Sequence, residues 1–169
     1  LCPVQLLWIN LITDSLPALS LGFEPPEKDI MNRPAVSPGK GIFSDGMGLK
    51  IFVEGIFIGS IALLAYALGA RHGNDTAATM CFAVLGLSQI SHSFNSRSEY
   101  SLLHIGIFSN PRLLISAIVC ITLQIVVICL PALNSIFSTT ALSSTEWIIT
   151  AVLSLLPVPV MELQKNISK

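Results

Sequence analysis

The stretch WINLITDSLPALSLGFEPPEKDIMNRP, Trp8 to Pro34, begins like a membrane-spanning helix, yet Asn10, Thr13 and Asp14 sit inside it and Pro17 interrupts it. At helical spacing, positions i, i+3 and i+4 share one face. An amide, a hydroxyl and a carboxylate are therefore expected to point toward one place. A charged Asp near the bilayer centre costs on the order of 3 kcal/mol, so something must compensate it. A cluster of oxygens alone suits a hard cation such as Ca²⁺ better than a thiophilic metal. Pro17 has no N–H to return to the carbonyl of Thr13, which frees a main-chain oxygen beside Asp14. Two other readings are open on the residues alone: Asp14 pairs with a Lys or His of a neighbouring helix, or it stays protonated.

The rest of the chain sets the solvent. Of 169 residues, 52% are hydrophobic and 11% charged, and the mean hydropathy is +0.73. Soluble domains carry roughly 25% charged residues, so lipid is the expected surrounding and the fold class is an all-α membrane bundle. The formal net charge of -1 excludes a basic nucleic-acid binder. Cys2, Cys81, Cys120 and Cys129 all lie in apolar segments without zinc-site spacing and read as buried small hydrophobes. The chain opens on Leu1 without a basic leader and cleavage site, so it reads as a piece of something longer rather than a precursor with a signal peptide.

A helix needs roughly 20 apolar residues to cross the bilayer core. Five segments qualify: residues 1–23, 51–70, 76–94, 113–133 and 147–163, the last broken by Pro157 and Pro159. The loop 24–48 is rich in Pro, Gly and charge and reads as a connector without a core; its Glu24, Glu27 and Asp29 are expected to be solvated. Lys28, Arg33, Lys40, Lys50, Arg97, Arg112, Lys165 and Lys169 fall on one side of the five spans and Arg71 on the other. The positive-inside rule puts the larger group in the cytoplasm. The N-terminus is then outside, the C-terminus inside, and the loop 24–48 cytoplasmic. Within the spans, Gln124 reads as an interhelical hydrogen bond and His92 as a packing or hydrogen-bonding residue. Glu54 reads as a snorkelling side chain without a role, Trp8 and Trp147 as interfacial anchors, and Gly55 and Gly59 as a close-approach seam.

These residues carry a resemblance. PVQLLWINLITDSLPALSLGFEPPEKDIMNRP (Pro3 to Pro34) closely resembles the sixth transmembrane helix and following loop of calcium-transporting P-type ATPases. SQISHSFNSRSEYSLL (Ser88 to Leu103) resembles the end of the eighth helix in bacterial members, and the likeness continues through IGIFSNPRLLIS to the last span. The chain thus looks like helices six to ten of a ten-helix pump. The resemblance implies that Asn10 and Asp14 coordinate transported Ca²⁺, at a site shared with the fourth helix, and that Thr13 matches a ligand of the second site in two-calcium pumps. Those pumps place a Glu on the eighth helix where Gln89 stands here; the neutral amide implies one Ca²⁺ per cycle. Asn10, where sodium/potassium and proton pumps carry other residues, favours Ca²⁺ as the ion, with Mn²⁺ secondary.

It further implies ATP-driven export of Ca²⁺ across the plasma membrane, with ATP and Mg²⁺ acting through other domains. The Asp-Lys-Thr-Gly-Thr phosphorylation motif is nowhere in these residues, so the chain alone is expected to be inactive. Its partners are then the lipid bilayer and the N-terminal remainder of the pump. The alternatives are a stand-alone membrane scaffold or subunit, and a passive cation channel built from the same helices.

Overall fold

The computed structural model describes residues 1–26, 30–32, 41, 43, 46–98 and 100–167. Among them there is no strand. Six principal helices, against the five expected, make up the bundle: α1 Pro3–Leu21, α2 Met47–Gly69, α3 Asn74–Asn95, α4 Pro111–Cys129, α5 Ser144–Leu155 and α6 Pro157–Ile167. The last two form one span, Ser144–Lys165, interrupted at Leu156. Pro157 explains that interruption, since it cannot donate back into the preceding turn. Expected positions Lys28, Arg33, Lys40 and Lys169, like the acidic Glu27 and Asp29, lie outside the described residues.

Four of the spans, α1, α2, α4 and α5–α6, are long and apolar enough to cross a membrane. They turn large side chains such as Leu7, Leu63, Ile115 and Leu155 outward. The 22-residue α3 is not among the four, because polar residues punctuate it. Its place in the bundle accounts for them. Phe82 and Ala83 join one buried cluster with Ile9 and Val127, Met80 and Val84 a second with Ile61 and Leu153, and Ile90 a third with Ala117 and Cys120. A helix enclosed by protein need not be apolar on its surface, provided its polar groups are satisfied. Accordingly, Ser88, Ser91 and Ser93 each donate to a carbonyl one turn back in α3, at 3.0, 3.0 and 2.6 Å.

α2 and α3 form a tight antiparallel pair. A Cβ on Gly69 would lie 2.7 Å from the Cα of Ala77, and Gly73 turns the chain at φ 129°. Backbone on the opposing side cannot yield as a side-chain tip can. Gly69→Ala is therefore expected to cost roughly 1–3 kcal/mol through overpacking, read as a lowered melting temperature in detergent. Gly55 and Gly59 behave differently: a Cβ at either would meet nothing within 4 Å, so the expected seam is not used among the described helices.

Three further expectations are corrected by packing. α4 ends at Cys129, short of residue 133, because Leu130 is extended (φ -86°, ψ 113°) ahead of Pro131, which starts a separate short helix, Pro131–Phe137. Trp8 is no interfacial anchor: its indole N–H donates to Gln124 Oε1 at 2.9 Å, and its ring meets Phe137 edge-on at 5.2 Å. Gln124 thus makes the interhelical bond expected of it, in the space that Gly86 leaves open. Of the cysteines, Cys120 is buried but Cys129 is exposed and Cys2 and Cys81 are half-buried.

Candidate functional site

The first span is not a regular α-helix. Its α-helical turns Pro3–Trp8 and Ser15–Leu21 flank a π-helical segment, Ile9–Asp14, that holds Asn10, Thr13 and Asp14 together. Such segments bond i to i+5, carry a wider turn, and occur frequently at functional sites. Pro17 follows within one turn. It can donate neither to Thr13, four residues back, nor to Ile12, five back. The Ile12 carbonyl instead accepts the Cys120 thiol from α4 at 3.4 Å. Asn10's own carbonyl accepts the Ser15 hydroxyl at 3.0 Å. The freed oxygen expected at Thr13 is therefore part of a wider loosening, distributed along the π-turn and held open by side chains.

The wider turn also redistributes the three polar side chains. Thr13 is buried, its hydroxyl donating to the Ile9 carbonyl at 2.8 Å. Its lone pairs stay free to accept or to coordinate. Asp14 is half-buried, and its carboxylate makes no hydrogen bond or ion pair with any described residue. The described helices thus supply no Lys or His partner of the kind the pairing alternative requires. Asn10 is exposed on α1. The single shared face expected from α-helical spacing is replaced by two aspects, with Thr13 and Asp14 turned inward and Asn10 outward.

Thr13, Asp14 and Pro17 line a cavity of about 1220 Å³, and Gln89 from α3 lines it too; Asn10 does not. The Gln89 Oε1 atom is buried and has no hydrogen-bond partner among the described residues. The cavity also receives Glu54 from α2, which the sequence left without a role, and His92 from α3, expected to pack or hydrogen-bond. Glu54 is not a snorkelling side chain: it is 12% exposed and its Oε2 lies 3.4 Å from His92 Nε2. Among the described residues no three His, Cys, Asp or Glu side chains gather closely enough to hold a metal ion. Ca²⁺ takes six to eight oxygens, more than Thr13, Asp14 and Gln89 bring to this cavity.

Glu24, just past the end of α1, is not solvated as its loop composition suggested. The Arg97 guanidinium grips both its carboxylate oxygens, Nε at 3.1 and 3.0 Å and Nη2 at 2.6 Å. Asn110 adds a hydrogen bond at 2.7 Å. Burial pushes the Glu24 carboxyl up, but the bonds from Arg97 and Asn110 and the charge of Arg97 outweigh it and hold the group below the usual carboxylate range. Sequence reading missed this pair because its members are 73 residues apart.

Comparison with known proteins now adds what geometry cannot. Residues 1–167 match the family model described as cation transporting ATPase, C-terminus. The chain belongs to that family. A calcium-transporting ATPase of Bacillus cereus is 37% identical across 99% of the chain, and one of Bacillus subtilis is 37% identical across 93%. A third, from Lactococcus lactis, is 33% identical across 97%. The chain spans about a fifth of the length of these relatives, 21, 18 and 19% respectively. Its all-α bundle and apolar spans agree with the C-terminal membrane region of a cation-transporting P-type ATPase, and place it in a membrane.

Proposed function

We propose that this C-terminal region of a cation-transporting ATPase carries part of the Ca²⁺ path of an ATP-driven pump, exporting one Ca²⁺ per cycle from the cytoplasm. The observation that carries the reading is the π-turn at Ile9–Asp14, which presents a mid-span carboxylate, without a partner among the described residues, to a cavity that Thr13, Gln89, Glu54 and His92 also line. An intramembrane carboxylate is a functional site by default, and irregular backbone at membrane depth is tolerated where it lines such a cavity. The relatives' names as calcium-transporting ATPases support Ca²⁺ as the ion.

In this reading Asp14 supplies the charge, Thr13 a hydroxyl oxygen, and Asn10 an amide oxygen directed to a neighbouring part of the pump. The remaining oxygens come from outside these residues, and ATP with its Mg²⁺ is handled there as well. Gln89 stands at the same cavity as a neutral donor, too weak to define a second Ca²⁺ site. The end of the bundle where Glu24, Arg97, Asn110 and Lys165 meet faces the cytoplasm, and Arg71, on the α2–α3 turn, faces outside.

The test is ATP-driven ⁴⁵Ca²⁺ accumulation by inside-out membrane vesicles carrying the full-length pump, with Mn²⁺ as competitor. Uptake that requires ATP supports the reading; Ca²⁺ flux that persists unchanged without ATP contradicts it. Gln89→Ala is expected to change half-saturating Ca²⁺ by no more than about fivefold, the loss of one neutral polar group at roughly 0.5–1 kcal/mol. A loss of uptake comparable to that of an Asp14 variant would reject the single-site stoichiometry.

A further inference from the structure

We propose that Arg97 is a positioning residue for cation binding: by clamping Glu24 it fixes the cytoplasmic end of α1, so that movement of Asp14 is confined to the π-turn above it. This rests on the reading of Asp14 as a Ca²⁺ ligand.

The Arg97 side chain has 0% exposure. Every edge of its guanidinium is engaged. Nε and Nη2 hold Glu24, Nη1 donates to the carbonyls of Gly106 and Ile107 at 3.0 and 3.4 Å, and Nη2 also donates to the Ser109 hydroxyl. Asn110 completes the arrangement. Its Nδ2 donates to Glu24 and, at 3.2 Å, to the Ser20 carbonyl inside α1, while its Oδ1 caps α4 by accepting from Leu113 N at 3.0 Å. One planar fork and one amide therefore tie the last turn of α1 to the connection between α3 and α4 and to the first turn of α4.

The same connection is pinned to the last span. Lys165 donates to the Asn95 carbonyl at 2.7 Å, and Glu162 accepts from the Ser101 hydroxyl at 2.6 Å and Leu102 N at 2.9 Å. The segment from Asn95 to Asn110 is thus a collar with α1 held on one side and α6 on the other. Between the collar and Asp14 lies the short α-helical segment Ser15–Leu21. The place along α1 where the chain departs from α-helical geometry is Ile9–Asp14. With the lower end clamped, the π-turn is the joint that absorbs changes in cation occupancy. Lys in place of Arg would supply one charge but not the fork that reaches Glu24 and two carbonyls together.

The experiment compares wild-type full-length pump with Arg97→Gln, Glu24→Gln, the double variant and Arg97→Lys. Half-saturating Ca²⁺ for phosphorylation from ATP and maximal phosphoenzyme per folded protein are measured, together with the melting temperature. Both single variants are expected to raise half-saturating Ca²⁺ by about tenfold, in the range by which residues acting through an intervening element alter coupling, with the maximum preserved. The double variant should be no worse than the weaker single, and Arg97→Lys intermediate. Unchanged half-saturating Ca²⁺ in Glu24→Gln, with only the melting temperature lowered, overturns the proposal and leaves a purely structural clamp. If Arg97→Gln does not fold, Glu24→Gln decides alone by the same readout. An Asp14→Asn control that keeps the wild-type Ca²⁺ response would instead overturn the reading beneath it.

Discussion

Asp14→Asn in the full-length pump is expected to abolish Ca²⁺-dependent phosphorylation from ATP at Ca²⁺ concentrations that saturate the wild type. The substitution keeps size and shape and removes one charge and one anionic oxygen. Among the described residues nothing else compensates the ion: Thr13 and Gln89 are neutral, and Glu54 is engaged with His92. Removing one partner of a buried charge pair costs roughly 3–5 kcal/mol. That corresponds to about two to four decades of affinity. The amide is also easier to bury than a carboxylate, so the variant protein should be at least as stable as the wild type. Loss of phosphoenzyme with an undiminished melting temperature is the combined result expected. Wild-type phosphoenzyme levels in that variant would remove Asp14 from the ion path.

Glu24→Ala has the largest expected effect on stability. Arg97 is enclosed, and Glu24 is the carboxylate that neutralises it. Truncating Glu24 leaves a buried guanidinium without its counter-charge and frees Asn110 Nδ2 from its shorter bond, a loss of roughly 3–5 kcal/mol. The pH dependence follows from the same contacts. The folded-state carboxyl is held below its usual range while the unfolded one is not. Its contribution is therefore complete above the ordinary glutamate range, and is lost as pH falls through the depressed folded value. Melting temperatures of wild type and variant should differ most at neutral pH and converge in strong acid. A difference that does not narrow toward acid would show that the clamp does not act through the ionised carboxylate.

What could be read from the sequence divides along physical lines. Long apolar runs are local, and so the spans at 51–70 and 113–133 were legible without tertiary information, although the second ends at Cys129, ahead of Pro131. Polarity within a span was legible too, since Asp14 and Gln89 stand out against lipid. Their meeting at one cavity required only that both helices belong to the same bundle. The π-turn was not legible. It coincides with a thiol from Cys120, 108 residues away, donating to the carbonyl of Ile12, a contact no local pattern announces, and with Pro17, which has no N–H to return. The nearest signal in the sequence was Pro17 together with Thr13 and Ser15, two hydroxyls able to return to the main chain within the same turn. Glu24 was misjudged for a related reason. Its neighbours Pro25, Pro26 and Glu27 are those of a solvated loop, and its partner comes from the far end of α3. Gly55 and Gly59 show the converse, a spacing that permits close approach but that no described helix uses.

Whether one Ca²⁺ is held through Asp14 is decided by equilibrium ⁴⁵Ca²⁺ binding to the purified full-length pump, without ATP. One high-affinity Ca²⁺ per molecule is expected, absent in Asp14→Asn and retained in Gln89→Ala. Two high-affinity ions per molecule, or undiminished binding in Asp14→Asn, would contradict it.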